Sequence, residues 1–116
     1  MMWDYKILIS NSFEKEFKKL NLPITIERFI KMIKVYKFIF LDGEFYKVKL
    51  YNPSLRWVVY FDKDKKLIVP VLLFKKTDKK YGENLILNDK IFKKIDTMFG
   101  KISQDIKEGN YKIFTI

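Results

Sequence analysis

The stretch that decides the fold is residues 45–74, Phe45-Tyr46-Lys47-Val48-Lys49-Leu50-Tyr51 followed by NPSLRWVVYFDKDKKLIVPVLLF. Three runs rich in β-branched and aromatic residues are separated by turn-forming residues, Asn52-Pro53-Ser54 and Asp62-Lys63-Asp64-Lys65, which predicts an antiparallel meander. Successive strand side chains point to opposite faces. In the first run Tyr46, Val48 and Leu50 therefore enter a core, while Phe45, Lys47, Lys49 and Tyr51 line the other face. Residues 55–61 form the second strand. Residues 67–74 are almost wholly apolar, the mark of a strand covered on both sides. Pro70 conflicts with that, because proline has no N–H for a ladder, so the strand must lie at an edge there or carry a bulge.

Working outward, Asp42-Gly43 marks a turn. Residues 35–41 alternate in a way that suits a strand or a helix end equally, and stay open. Residues 3–10 form a first strand, with Tyr5, Ile7 and Ile9 alternating against Lys6 and Leu8. A helix follows, capped at Asn11 or Ser12, with Glu14 three residues after Asn11 as in a capping box and Phe13, Phe17 and Leu20 at helical spacing. Asn21-Leu22-Pro23 breaks it, and Pro23 suits the first turn of a second helix with the stripe Ile26, Phe29, Ile30 and Ile33. Toward the C-terminus Asn88 caps a long amphipathic helix with the stripe Ile91, Ile95, Met98, Phe99, Ile102 and Ile106, ending at Gly109. The tail, residues 111–116, is apolar and extended, and either adds to a sheet edge or meets another chain. The expected architecture is a single α+β domain over 1–116: an N-terminal strand and helical hairpin on a small, mostly antiparallel sheet, with a C-terminal helix.

Composition narrows the chemistry. A chain of 116 residues suffices for one core, and 48% hydrophobic residues argue for a folded domain. Lys and Arg number 24 against 14 acidic residues, a net charge of +10, which favours polyanionic partners. With no cysteine, disulfides, zinc-thiolate sites and thiol nucleophiles are excluded. Histidine is absent too, which removes the commonest general base and metal ligand. Asp42, Glu44, Asp62 and Asp64 fall in turn-like segments without a divalent-cation motif, so neither a metal nor another cofactor is expected. No apolar run reaches the ~20 residues needed to span a bilayer, and the N-terminal segment lacks a signal peptide's apolar core, so a cytoplasmic protein is expected.

The segment Tyr46-Lys47-Val48-Lys49-Leu50, then Arg56 after a short turn, then Phe74-Lys75-Lys76-Thr77-Asp78-Lys79-Lys80, gives the chain its most specific character. In these residues, and in the order strand, helical hairpin, three-stranded meander, the chain resembles the RelE/ParE superfamily of toxins from bacterial and archaeal toxin–antitoxin modules, particularly the RelE and phage-type HigB branches. The resemblance implies a ribosome-dependent endoribonuclease that cuts mRNA, is silenced by a cognate antitoxin and is monomeric when free.

Cleavage through the ribose 2′-hydroxyl needs a base, cations for the phosphorane and a proton donor for the departing 5′-oxygen. Without histidine, lysine is the available base, provided neighbouring charges and partial burial draw its pKa toward neutrality. The resemblance makes Lys47 that base, Lys49 and Arg56 the phosphorane stabilisers, Arg56 bidentately, and Lys76 a phosphate clamp or acid. Lys76 stands where the family carries arginine, keeping the charge without the planar fork. Tyr81 corresponds to a tyrosine that stacks on the substrate base, and Lys75, Lys79, Lys80 and Tyr51 are the accompanying RNA-binding candidates.

Simpler readings stand beside these. Lys47 and Lys49 also suit the solvated face of a half-buried strand, residues 75–80 a solubilising loop, and Tyr51, Trp57 and Tyr60 ordinary sheet packing. Two other functions fit the pattern: a gyrase inhibitor of the ParE kind without nuclease chemistry, and a non-catalytic module that holds single-stranded RNA on a basic, aromatic sheet face.

Overall fold

The computed structural model describes residues 5–21, 25–32, 38–51, 54–75 and 89–115. Its elements are β1 (Lys6–Ser10), α1 (Asn11–Lys19), α2 (Ile26–Met32), β2 (Phe38–Asp42), β3 (Phe45–Tyr51), β4 (Ser54–Asp62), β5 (Leu67–Lys75), α3 (Asp89–Glu108) and β6 (Tyr111–Thr115). The six strands form one sheet in the order β2-β3-β4-β5-β1-β6. Four consecutive strands make an antiparallel meander. Strand β1 then pairs in parallel with β5, and β6 closes antiparallel onto β1. The fold is α+β, and β2 extends the meander by one strand beyond the three expected.

Strand alternation sorts the apolar residues into two cores. On one face Ile7, Ile9, Val48, Trp57, Val59, Phe61, Ile68 and Leu73 pack against Phe13 and Phe17 of α1 and Ile26, Phe29 and Ile30 of α2. Phe29 binds the layers, lying edge-on to Phe17 at 5.4 Å and to Trp57 at 4.3 Å between ring centroids. On the other face Leu8, Val58, Val69, Val71 and Leu72 pack against Ile95, Met98 and Ile102 of α3. Each of these α3 side chains, if fully buried, contributes about 1.5–3 kcal/mol. The sheet is thus covered on both faces, α1 and α2 on one and α3 on the other.

Pro70 is accommodated by a bulge. Val58 faces Leu72 but Val59 faces Pro70, so Val71 is one residue extra on β5. The bulge shifts the alternation, and Val71 and Leu72 both join the α3 core. The parallel ladder with β1 pairs Lys6 with Leu67 and Ile7 with Ile68, before the proline.

Three local expectations change. The cap of α1 is Ser10, whose hydroxyl accepts from the Phe13 N–H (3.1 Å), not Asn11 or Ser12. Strand β1 runs straight into the helix, so its last, fully buried residue meets the free N–H groups. The Ser12 N–H instead donates to Asp105 Oδ2 of α3 (2.8 Å). Residues 38–41, the later part of the segment left open, are strand, and the strand runs on through Asp42, read as a turn residue. Ile106 is 38% exposed and lies off the buried stripe of α3. Helix α3 ends in a Schellman motif: the Asn110 N–H donates to Asp105 O, the Gly109 N–H to Ile106 O, and Gly109 adopts φ 75°. The tail takes the first of its two options, pairing with β1 along all of β6. Pro23, Ile33 and Asn88 lie outside the described residues.

Candidate functional site

Strand register assembles the candidate cations. Lys49 of β3 lies directly opposite Arg56 of β4, and Lys47 lies opposite Val58. Lys47 and Lys49 are two residues apart on one strand and Arg56 and Val58 two apart on its partner. All four positions therefore belong to the same sheet face. Opposed residues on antiparallel strands have Cβ atoms about 4.5–5.5 Å apart, so this register brings two cationic positions to one point and a third a single strand repeat away. The pairs Leu50↔Leu55 and Tyr51↔Ser54, at the end of the ladder, fix this register.

The face is shared with α3. Val58 is fully buried in the α3 core, and Lys47 beside it is half-buried. Two residues before Lys47, Phe45 packs on α3: its ring lies 5.9 Å from Phe99, edge-on, and 5.4 Å from Tyr60, the residue opposite it on β4. Tyr60 in turn meets Phe99 edge-on at 4.9 Å. Burial, followed by the charges of Asp62, Glu44 and Asp64, raises the Tyr60 phenol above its ordinary pKa. Glu44 pairs with Lys63 at 3.8 Å, and its backbone carbonyl accepts from the Phe61 N–H at 2.9 Å. The face thus runs from the Lys49–Arg56 pair, through Lys47, to an aromatic trio rimmed by carboxylates.

Of the remaining candidates, Tyr51 is the last residue of β3, opposite Ser54. Lys75 ends β5 opposite Leu55, one register step beyond Arg56↔Phe74. Lys76, Lys79, Lys80 and Tyr81 lie outside the described residues. Sequence reasoning read Tyr60 and Phe99 as packing, which they are, but did not place them on the face that carries the cationic positions. The available signal was the parity of Tyr60 with Arg56, four residues apart on one strand.

Among the described residues no group of three potential metal ligands forms, and no helix is long and apolar enough to cross a membrane. Comparison with known proteins finds no matching family model, no curated protein and no solved structure at the threshold of significance.

Proposed function

We propose that this protein is the toxin of a toxin–antitoxin module, a metal-independent endoribonuclease that cuts ribosome-bound mRNA. The observation that carries the reading is the opposition of Lys49 and Arg56 with half-buried Lys47 one repeat along the same face. That juxtaposition is what 2′-hydroxyl chemistry requires of a chain without histidine. The resemblance of residues 46–50 and Arg56 to the RelE-type strand supplies the reaction class.

In this mechanism Lys47, as the neutral amine, takes the 2′-hydroxyl proton while the 2′-oxygen attacks the adjacent phosphorus. Lys49 and Arg56 hold the negative charge that builds on the phosphorane oxygens. The 5′-oxygen leaves with a proton from the acid, the role given to Lys76, and a 2′,3′-cyclic phosphate remains. The partners are the ribosome with its mRNA, and a cognate antitoxin.

The test is mRNA cleavage in a purified translation system, with ribosome-bound and naked message. Cuts confined to ribosome-bound message, and lost in Lys47→Ala and Arg56→Ala, support the proposal. Binding of RNA or ribosomes without cuts replaces it with the non-catalytic RNA-binding module. Inhibition of gyrase without either replaces it with the ParE-type reading.

A further inference from the structure

We infer that Phe45, Tyr60 and Phe99 form a base-stacking subsite for single-stranded RNA, next to the phosphate-binding positions Lys47, Lys49 and Arg56. The inference rests on the proposed function only in taking the ligand to be RNA; it needs no cleavage.

Geometry supplies the first argument. The three rings meet one another at 4.9–5.9 Å, and all three residues stay half-buried, with part of their surface at solvent. They sit on the face that carries the cationic positions. Phe45 precedes Lys47 by two residues, about 7 Å along the strand, and Lys49 by four, about 13 Å. The nearer spacing suits a phosphate held at Lys47 with a base of the same or adjacent nucleotide on Phe45. The farther one puts the phosphate at Lys49 and Arg56 on a neighbouring nucleotide. Stacking on an aromatic side chain is the general way that proteins hold unpaired bases, because every base has a π face.

Charge supplies the second. Glu44, Asp62 and Asp64 surround the Tyr60 end of the face closely enough to act on its phenol. Phosphates are repelled there and attracted to the Lys49–Arg56 end, so a bound strand is polarised, backbone at the cations and base at the rings. Carboxylates at the rim accept hydrogen bonds from base N–H groups and offer nothing to a phosphate. The site therefore takes a nucleobase, with preference for one presenting donors on its exposed edge.

The test uses RNA carrying 2-aminopurine at successive positions, free and as message on programmed ribosomes, with fluorescence quenching as the readout of stacking. Wild type is expected to quench the probe at one position. Phe99→Leu and Tyr60→Leu, which keep an apolar side chain in the α3 contact, are expected to lose the quench and to weaken RNA binding about tenfold. Phe92→Leu, elsewhere on α3, changes neither. Near-UV circular dichroism and urea midpoints select the variants that keep the fold, and Tyr60→Phe, which retains a ring, is expected to retain the quench. Absence of a position-specific quench by wild type in both settings overturns the inference. So does quenching that persists in folded Phe99→Leu and Tyr60→Leu. Quenching without cleavage upholds the stacking subsite and defeats the nuclease reading; cleavage unchanged in the folded variants, with unaltered probe response, does the reverse.

Discussion

Asp105 joins parts of the chain that lie 93 positions apart, its carboxylate receiving the Ser12 N–H while its carbonyl receives that of Asn110. A carboxylate on a free N–H of the first helical turn combines a charge-assisted hydrogen bond with a favourable place on the helix dipole. Asp105→Ala is expected to cost about 1–2 kcal/mol in urea unfolding, and Asp96→Ala, on the exposed side of the same helix, less than about 0.5 kcal/mol. Tyr60 gives a pH dependence. Its raised pKa means that the unfolded chain releases the phenolic proton first as pH rises. The protonated phenol's contribution is thus complete below the ordinary tyrosine pKa and is lost as pH climbs through the folded value. Wild type should lose stability across that alkaline window more steeply than Tyr60→Phe. The sequence made the common sheet face of Lys47, Lys49 and Arg56 legible because strand parity is a local rule. It hid Asp105, whose partner no periodicity connects to it, and Ser10, whose capping role depends on a strand meeting a helix with no loop between.

At the level of elements, α3 has one glycine inside it and another just past its end, with opposite meanings. Gly100 is an exposed interior position where an added Cβ meets nothing within 4 Å, whereas Gly109 ends the helix at φ 75° with equally open surroundings. Space is therefore equal and only backbone preference differs. Gly100→Ala should stabilise by about 0.5–1 kcal/mol by removing a flexible residue from the helix. Gly109→Ala should destabilise by about 1 kcal/mol or more, because an L-residue is forced into the left-handed region. Thermal unfolding of the two single variants measures both signs against one reference. Helix α3 was readable because its apolar period is long, and strands β3 to β5 because their β-branched and aromatic runs are bounded by turn-forming residues. Strand β2 was not, since its alternation fits a helix end as well. Pro70 announced an irregularity, and the bulge at Val71 decided its form.

For the molecule as a whole, a net charge of +10 makes association with any polyanion sensitive to salt. If Lys47, Lys49 and Arg56 each neutralise a phosphate of single-stranded RNA, replacing any one by alanine should reduce the slope of log K against log salt by about 0.7. Binding isotherms at several ionic strengths measure it. The continuous apolar run of β5 foretold cover on both faces, but not which helix lies where. That arrangement depends on contacts such as Phe45 to Phe99 and Phe29 to Trp57, which join residues remote in sequence. The placement of β1 between β5 and β6 also governs the birth of the molecule. Strand β1 precedes both of its neighbours in the sequence, one at residues 67–75 and the other at residues 111–115, so one of its edges stays unpaired until β5 has been made and the other until β6 has. Folding of this sheet therefore completes only once β6 has been made, and until then a nascent chain keeps open the very slot on which the finished architecture closes.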